Sequence, residues 1–352
     1  MLNGDGAGPR RYVELDGLRG IAATAVLVRH FTSTYDHFFP GEPTPPFAWE
    51  DGRYGVPFFF LISGYVILMT ARRSRSAAEF AIARFARLFP AYWTAIALTS
   101  LTVALLGPAL LQRTPTEIIT NLSMVQAAVG VRHIDDSYWS LSVELLFYAL
   151  IVLAVWRRAT SDRAIVTVAL GWVAVGLVVA AVYAWGGRTS GLWRLVILTG
   201  AEFPSLFTVG ILAMISQGRR LHRATVPVLV AGAVISTLII DLRHAVVITL
   251  ISTLFLCITR YRSVGLLRWR PLLFLGAISY PLYLTHQFIG YALIHALTPH
   301  VGRTSSMLLA TGLVIVVSFA IHKLVEERAS RALRMWMVRR WSLLRPVVSH
   351  ER

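Results

Sequence analysis

The stretch Glu14 to Phe31, ELDGLRGIAATAVLVRHF, decides how the rest of the chain is read. It sets Asp16, Arg19, Arg29 and His30 at the start of, and inside, an otherwise apolar run. An arginine or histidine in a hydrocarbon layer costs several kcal/mol unless it faces protein or water, so in a membrane bundle it marks a site. A helix turns about 100° and rises about 1.5 Å per residue, so the path from Arg19 to His30 returns to nearly the same face about 16 Å further on. Asp16 falls close to that face, and one polar stripe is expected to run from a membrane surface towards the middle. Snorkelling to headgroups explains Arg19 as well as a function does. For His30, deep in the span, a function is favoured over packing.

Composition sets the class. With 352 residues, 56% of them hydrophobic, and a mean hydropathy of +0.62, the chain is too apolar for an ordinary soluble globule. It reads as an all-α polytopic transmembrane bundle of about ten spans. These fall at approximately 16–38, 54–71, 88–111, 138–157, 163–185, 194–216, 224–241, 243–260, 271–296 and 304–325. The net charge of +16 comes from 34 basic against 18 acidic residues, with Lys323 the single lysine. The arginines lie between apolar runs instead of on one soluble face, so no nucleic-acid partner is expected. They alternate: Arg72, Arg73, Arg75, Arg84 and Arg87, then Arg157 and Arg158, Arg219 and Arg220, and Arg260 and Arg262 all fall on one side. Asp36, Glu42, Glu50, Asp51, Asp135 and Asp136 fall on the other, which makes both termini cytoplasmic. The lone Cys257 excludes an intramolecular disulfide, and no metal site is expected. No signal-peptide pattern precedes the first span, which is expected to be retained.

Two external connections are long: Asp36 to Arg53, and Leu110 to Ser137, where Thr114, Pro115 and Glu117 read as the capped start of a short helix. The tail from Glu326 to Arg345 alternates arginines with Leu333, Trp336, Trp341 and Leu344, as an amphipathic helix on an anionic inner surface would. The expected organisation is one membrane domain, residues 1–330, followed by a basic tail, 331–352.

Three further stretches hold chemistry. In RFARLFP, Arg84 and Arg87 lie one turn apart and form a fork for phosphate oxygens. In WSLSVELLFY, Glu144 has Ser140 one turn above and Tyr148 one turn below, and needs a partner, for which an arginine or histidine of the first span is the candidate. A register-fixing ion pair explains Glu144 nearly as well as catalysis or acceptor binding, and Ser142 reads equally as a packing residue. In SYPLYLTHQF, Ser279, Tyr283 and His286 share a face with Tyr280 beside them, and Pro281 is expected to distort the helix. In FFFLISGY, Ser63 and Gly64 are expected to permit close helix approach; a serine nucleophile is the less favoured reading.

LDGLRGIAA (15–23) with its following histidine, FFFLISGYVI (58–67), RFARLFPAYW (84–93), YWSLSVELLFY (138–148) and ISYPLYLTHQF (278–288) together resemble acyltransferase family 3. These are integral membrane proteins that move acyl groups onto sugars and other hydroxyl compounds. The resemblance covers roughly residues 13–330 and departs where members end the last span with glutamate, one residue, then proline; here stand Val325, Glu326, Glu327 and Arg328. Some members carry a further soluble extracytoplasmic domain, which this chain is expected to lack.

The resemblance implies a multi-pass O-acyltransferase of a bacterial cytoplasmic membrane, using cytoplasmic acyl-CoA, expected to be acetyl-CoA, and no tightly bound cofactor. The implied acceptor is a hydroxyl of a surface polysaccharide, lipid-linked glycan or macrolide-like metabolite. His30 is then the general base, Arg19 oriented by Asp16 stabilises developing charge, and Arg84 and Arg87 hold the donor phosphates. Ser63, Ser142, Glu144, Tyr280, Tyr283 and His286 serve the acceptor or support the site. The rival reading is a transporter that uses the same buried charges to pass an acyl group, anion or proton.

Overall fold

The computed structural model describes residues 12–261 and 264–343. Arg262, Leu344 and Arg345 lie outside them, so the last part of the expected tail does too. Among the described residues the chain is helical, with no strand. The helices are α1 (Val13–Arg29), α2 (Tyr35–Phe38), α3 (Gly55–Ala71), α4 (Ala77–Leu106), α5 (Pro115–Asn121), α6 (Trp139–Trp156), α7 (Asp162–Trp185) and α8 (Ser190–Thr199). Next come α9 (Pro204–Ile215), α10 (Thr225–Ile239), α11 (Leu242–Tyr261), α12 (Arg270–Ala277), α13 (Ser279–Thr285), α14 (Gln287–Val301), α15 (Arg303–Ile321) and α16 (Ser330–Leu343).

Seven helical stretches are long and apolar enough to cross a membrane, among them Glu50–Ala71, Ala77–Leu106 and Arg303–Leu343. The other expected spans correspond to α1, whose charges lower its hydropathy, to α10, which has 15 residues, and to the interrupted run α12 to α14. Helix α16 continues from α15 through a π-helical segment, His322–Ala329, and packs against α4.

Backbone-to-backbone packing at glycine sets the inner frame. Helix α3 lies along α9, where a Cβ on Gly64 would run into the Phe207 carbonyl and one on Gly210 into the Leu61 carbonyl. Helix α1 lies along α12 in the same way, with Gly20 against Leu272 and Gly276 against Asp16. Lipid tails are as apolar as leucine, so close packing of small residues, not burial from water, holds such helices together.

Two irregular turns shape the interior of the bundle. After Arg29 the first helix widens into a π turn, His30–Thr34. Such a turn displaces carbonyls from the ordinary ladder. Here the His30 carbonyl accepts from Tyr291 Oη (3.2 Å) and the Phe31 carbonyl from the buried Arg303 guanidinium (2.7 Å). The second lies in the run α12 to α14. It bends at Ile278 (φ −91°, ψ 4°), three residues before Pro281, whose ring nitrogen has no hydrogen to give to the preceding turn. Further on, the bond that Phe288 N–H and the Leu284 carbonyl would share in a regular helix is replaced. Phe288 N–H goes to Asp135 (2.8 Å), and the Leu284 carbonyl accepts from Tyr138 Oη (2.8 Å).

The second long connection is ordered by its own bonds. Thr114 and Glu117 form the expected reciprocal cap, Glu117 pairs with Arg132 (2.7 Å), and Asn121 holds the Arg132 carbonyl and the Ile134 N–H. Gln126 donates to Nδ1 of His133 (2.8 Å), which requires that nitrogen to be bare. Burial, and then the Arg113 guanidinium, push His133 down to about 4; bonds from Arg132 and Thr114 hold Glu117 down at about 2. Both groups have folded values below their unfolded ones, so each contribution is present at higher pH and lost as pH falls. The protection of amides 113–135 against hydrogen exchange is therefore expected to weaken from pH 6.5 through about 4 as His133 protonates, with the Glu117 loss following from 4.5 through about 2. Protection that stays flat across the upper interval, after correction for intrinsic exchange, contradicts this.

Candidate active site

A cavity of about 140 Å³ lies inside the bundle between α1, α3, α4, α6 and α13. That is well under the roughly 300–1,000 Å³ of a site for a drug-sized ligand, so it has room for a short acyl thioester and not for a nucleotide. Three guanidiniums line it: Arg19 from α1, and Arg84 and Arg87 from α4. The pair on α4 reaches one cavity because residues three apart share a helix face. Arg84 Nε is buried without a hydrogen-bond partner, while Arg87 donates to Glu326 (2.7 Å) and lies over the Tyr280 ring, 5.9 Å from its centroid.

Ser140, Glu144 and Tyr148 line the same cavity at the one-turn spacing read from the sequence. Oε1 of Glu144 accepts from Ser63 Oγ (2.6 Å) and Tyr148 Oη (2.6 Å). The expected partner from the first helix does not take that place: Arg19 lines the cavity without an ion pair to Glu144 within 4.0 Å among the described residues. Two hydroxyl donors satisfy the carboxylate instead, so Ser63 holds Glu144 as well as sitting beside the close contact at Gly64. Tyr280 donates to the Leu88 carbonyl (3.0 Å), and Tyr283 donates to the Ser137 carbonyl (2.9 Å) while accepting from Ser140 (2.7 Å).

His30 does not share the cavity wall with Arg19, contrary to the single stripe expected from helix geometry. Arg19 lines the cavity from α1, whereas His30, in the π turn that follows α1, is not part of its wall. The rings of Phe59 and Tyr283 both line it and pack 5.9 Å apart. Behind Tyr283, with ring centroids 5.7 Å apart, stands His286. His286 Nε2 lies 2.7 Å from His30 Nδ1, and the two rings are within 3° of parallel, which places them edge to edge in one plane, not face to face.

This geometry assigns the protons. Nδ1 of His286 lies 2.9 Å from the Tyr283 carbonyl and 3.1 Å from that of Leu282, and a carbonyl only accepts, so that nitrogen carries hydrogen. In a neutral ring Nε2 of His286 is then bare and accepts, which puts the hydrogen of His30 on Nδ1 and leaves Nε2 of His30 with its lone pair. His30 is thereby held in the tautomer a general base needs.

The remaining candidates fall elsewhere. Asp16 lies one turn before Arg19 outside the cavity wall, and Ser142 faces away from it, donating to the Met124 carbonyl (3.1 Å). Two residues escaped the sequence reading. Asp135, fully buried, accepts from Ser137 and Phe288 and so ties the external connection to the turn that presents His286. Glu326, 2% exposed at its side chain, bonds both Arg87 and His322 (2.6 Å). The signal for Asp135 was an acid beside a motif segment; that for Glu326 was its place where family members end the last span with a glutamate, to which the sequence reading gave no role.

The fold and this interior define a multi-pass helical membrane protein with a buried polar chamber. A family profile described as an acyltransferase domain matches residues 12–323, and the chain belongs to acyltransferase family 3. It is 27% identical over 216 residues to the peptidoglycan O-acetyltransferase OatA of Listeria monocytogenes, covering 56% of this chain and 31% of that one. It is 28% identical over 181 residues to the acyltransferase MdmB of Streptomyces mycarofaciens, covering 49% and 45%. It is 25% identical over 322 residues to the putative peptidoglycan O-acetyltransferase YrhL of Bacillus subtilis, covering 78% and 48%. The chain thus matches less than half the length of each of these relatives. No solved structure matches.

Proposed function

We propose that the protein is a membrane O-acyltransferase that moves an acetyl group from cytoplasmic acyl-CoA to a hydroxyl of a glycan-containing acceptor presented from the opposite side. In this reading about ten spans cross a bacterial cytoplasmic membrane with both termini inside, as the arginine alternation indicates. Family membership and relatives named as O-acetyltransferases support the reaction class. The observation that carries the mechanism is the chain from the Tyr283 carbonyl through His286 to His30, which leaves Nε2 of His30 bare, with Tyr283 itself lining the chamber of three guanidiniums.

The donor phosphates meet Arg84 and Arg87 at the inner mouth, and the thioester enters the chamber towards Tyr283 and Phe59. The acceptor hydroxyl approaches His30. As its oxygen attacks the thioester carbon, its proton passes to Nε2 of His30. The carbon–sulfur bond breaks, and the thiolate takes that proton, leaving an ester and free CoA thiol. The imidazolium formed in between keeps Nδ1–H on the neutral His286. Arg19 stabilises the oxyanion.

Purified protein in sealed proteoliposomes, given acetyl-labelled CoA on one side and a short N-acetylglucosamine oligomer on the other, is expected to yield acetylated sugar. The double variant Arg84→Gln, Arg87→Gln is expected to raise KM for acetyl-CoA about tenfold, the effect of losing charge-assisted phosphate bonds. Label that crosses the membrane without forming an ester supports a transporter instead.

A further inference from the structure

A second cavity, of about 810 Å³, runs between α6 and α8 under the 124–133 part of the external connection, and no step of the proposed reaction uses it. Its walls are apolar along Val143, Leu146 and Ala149 on one side and Trp193 and Ile197 on the other. Trp193, Ile197 and Leu198 are each more than 40% exposed, so the groove opens sideways where acyl chains would surround the bundle. Its polar lining includes Arg53, His133, Ser142, Glu202 and His244. Arg53 forms no ion pair within 4.0 Å among the described residues: its Nη2 donates to Tyr54 Oη (3.3 Å), and its buried Nε lacks a partner. His244 is 7% exposed with Nδ1 unpartnered, its Nε2 lying 3.4 Å from Glu202.

The groove and the catalytic chamber are separated by one layer of side chains. Val56 lines both. Phe60, on the chamber side, packs on Phe203 (4.9 Å between centroids) and Trp139 (6.3 Å), which line the groove.

Resting on the acyl-transfer reading above, we infer that this groove seats the acceptor as a membrane-dissolved lipid-linked sugar. Its polyprenyl chain lies between α6 and α8, its anionic phosphate linkage meets Arg53 and His244, and its sugar extends past Val56 and Phe60 towards the chamber. An apolar slot open to lipid suits a chain that never leaves the bilayer. An arginine without a carboxylate partner in the lining suits an anionic linkage, which a purely hydrocarbon occupant lacks.

The test uses the full chain in nanodiscs and a benzophenone-bearing polyprenyl-phosphate sugar, compared with a phosphatidylglycerol bearing the same photophore. Labelling within 143–149 and 193–198 is expected from the sugar probe. An excess of unlabelled polyprenyl-phosphate sugar should suppress it at least tenfold. Arg53→Gln is expected to cut it about tenfold. Ala149→Trp, which fills the slot from its exposed edge, should lower the ratio of kcat/KM for the lipid-linked sugar to that for a short soluble oligosaccharide by a similar factor. Equal labelling by both probes, or labelling indifferent to both substitutions, overturns the inference and makes the groove an ordinary lipid niche. Specific labelling in a protein that acetylates neither acceptor leaves the groove standing and sinks the acyl-transfer reading instead.

Discussion

Replacing His30 by alanine is expected to lower acetyl transfer by roughly 10²–10⁴-fold, the range over which a positioned general base accelerates proton transfer. The protein should still fold, because the neighbouring turn is held by other groups: the His30 carbonyl by Tyr291 and the Phe31 carbonyl by Arg303. His286 touches no reacting atom in this scheme and acts by fixing which nitrogen of His30 bears hydrogen. His286→Ala is therefore expected to lower kcat about tenfold with little change in KM. His286→Asn, whose side-chain oxygen is able to accept from Nδ1 of His30, should recover part of that loss. A purely structural role for His286 would lower thermal stability in both variants alike without the difference in kcat. Full activity in His30→Ala would remove the proposed mechanism outright.

The second large effect is expected at Glu326. Its carboxylate joins Arg87 on α4 to His322 on the segment after α15, from a side chain only 2% exposed. Removing one partner of a buried pair costs about 3–5 kcal/mol because the other charge is left uncompensated. Arg87 is 38% exposed at its side chain and recovers part of its solvation, so about 2 kcal/mol is expected for Glu326→Ala. In a thermal melt in detergent that should appear as a fall of several degrees. The freed guanidinium should also raise KM for acetyl-CoA, whereas the double variant Glu326→Ala, Arg87→Met should regain stability without regaining donor affinity. A single variant that melts like the parent shows that the pair does not brace the two helices.

Much of the architecture was legible in the chain. Hydropathy and arginine alternation marked where the helices fall, and the run from Ser140 to Tyr148 put three polar side chains on the face that lines the chamber. Pro281 foretold the bend at Ile278, and Gly64 the contact with α9. Periodicity failed where partners come from elsewhere in the chain. A helical repeat says that Arg19 and His30 share a face, but it carries no information on what each meets: Arg19 lines the cavity, while His30 meets His286. It also offered Glu144 a cation, where packing supplied the hydroxyls of Ser63 and Tyr148.

The local order of residues determined the helices and their close contacts through glycine, because each depends on spacing within one segment. Only the tertiary structure decided that His30 pairs with His286, that Asp135 steadies the turn presenting it, and that Glu326 holds Arg87. Those bonds join residues from 153 to 256 positions apart. A buried polar group must find some partner, and which one it finds is fixed by how the helices cross.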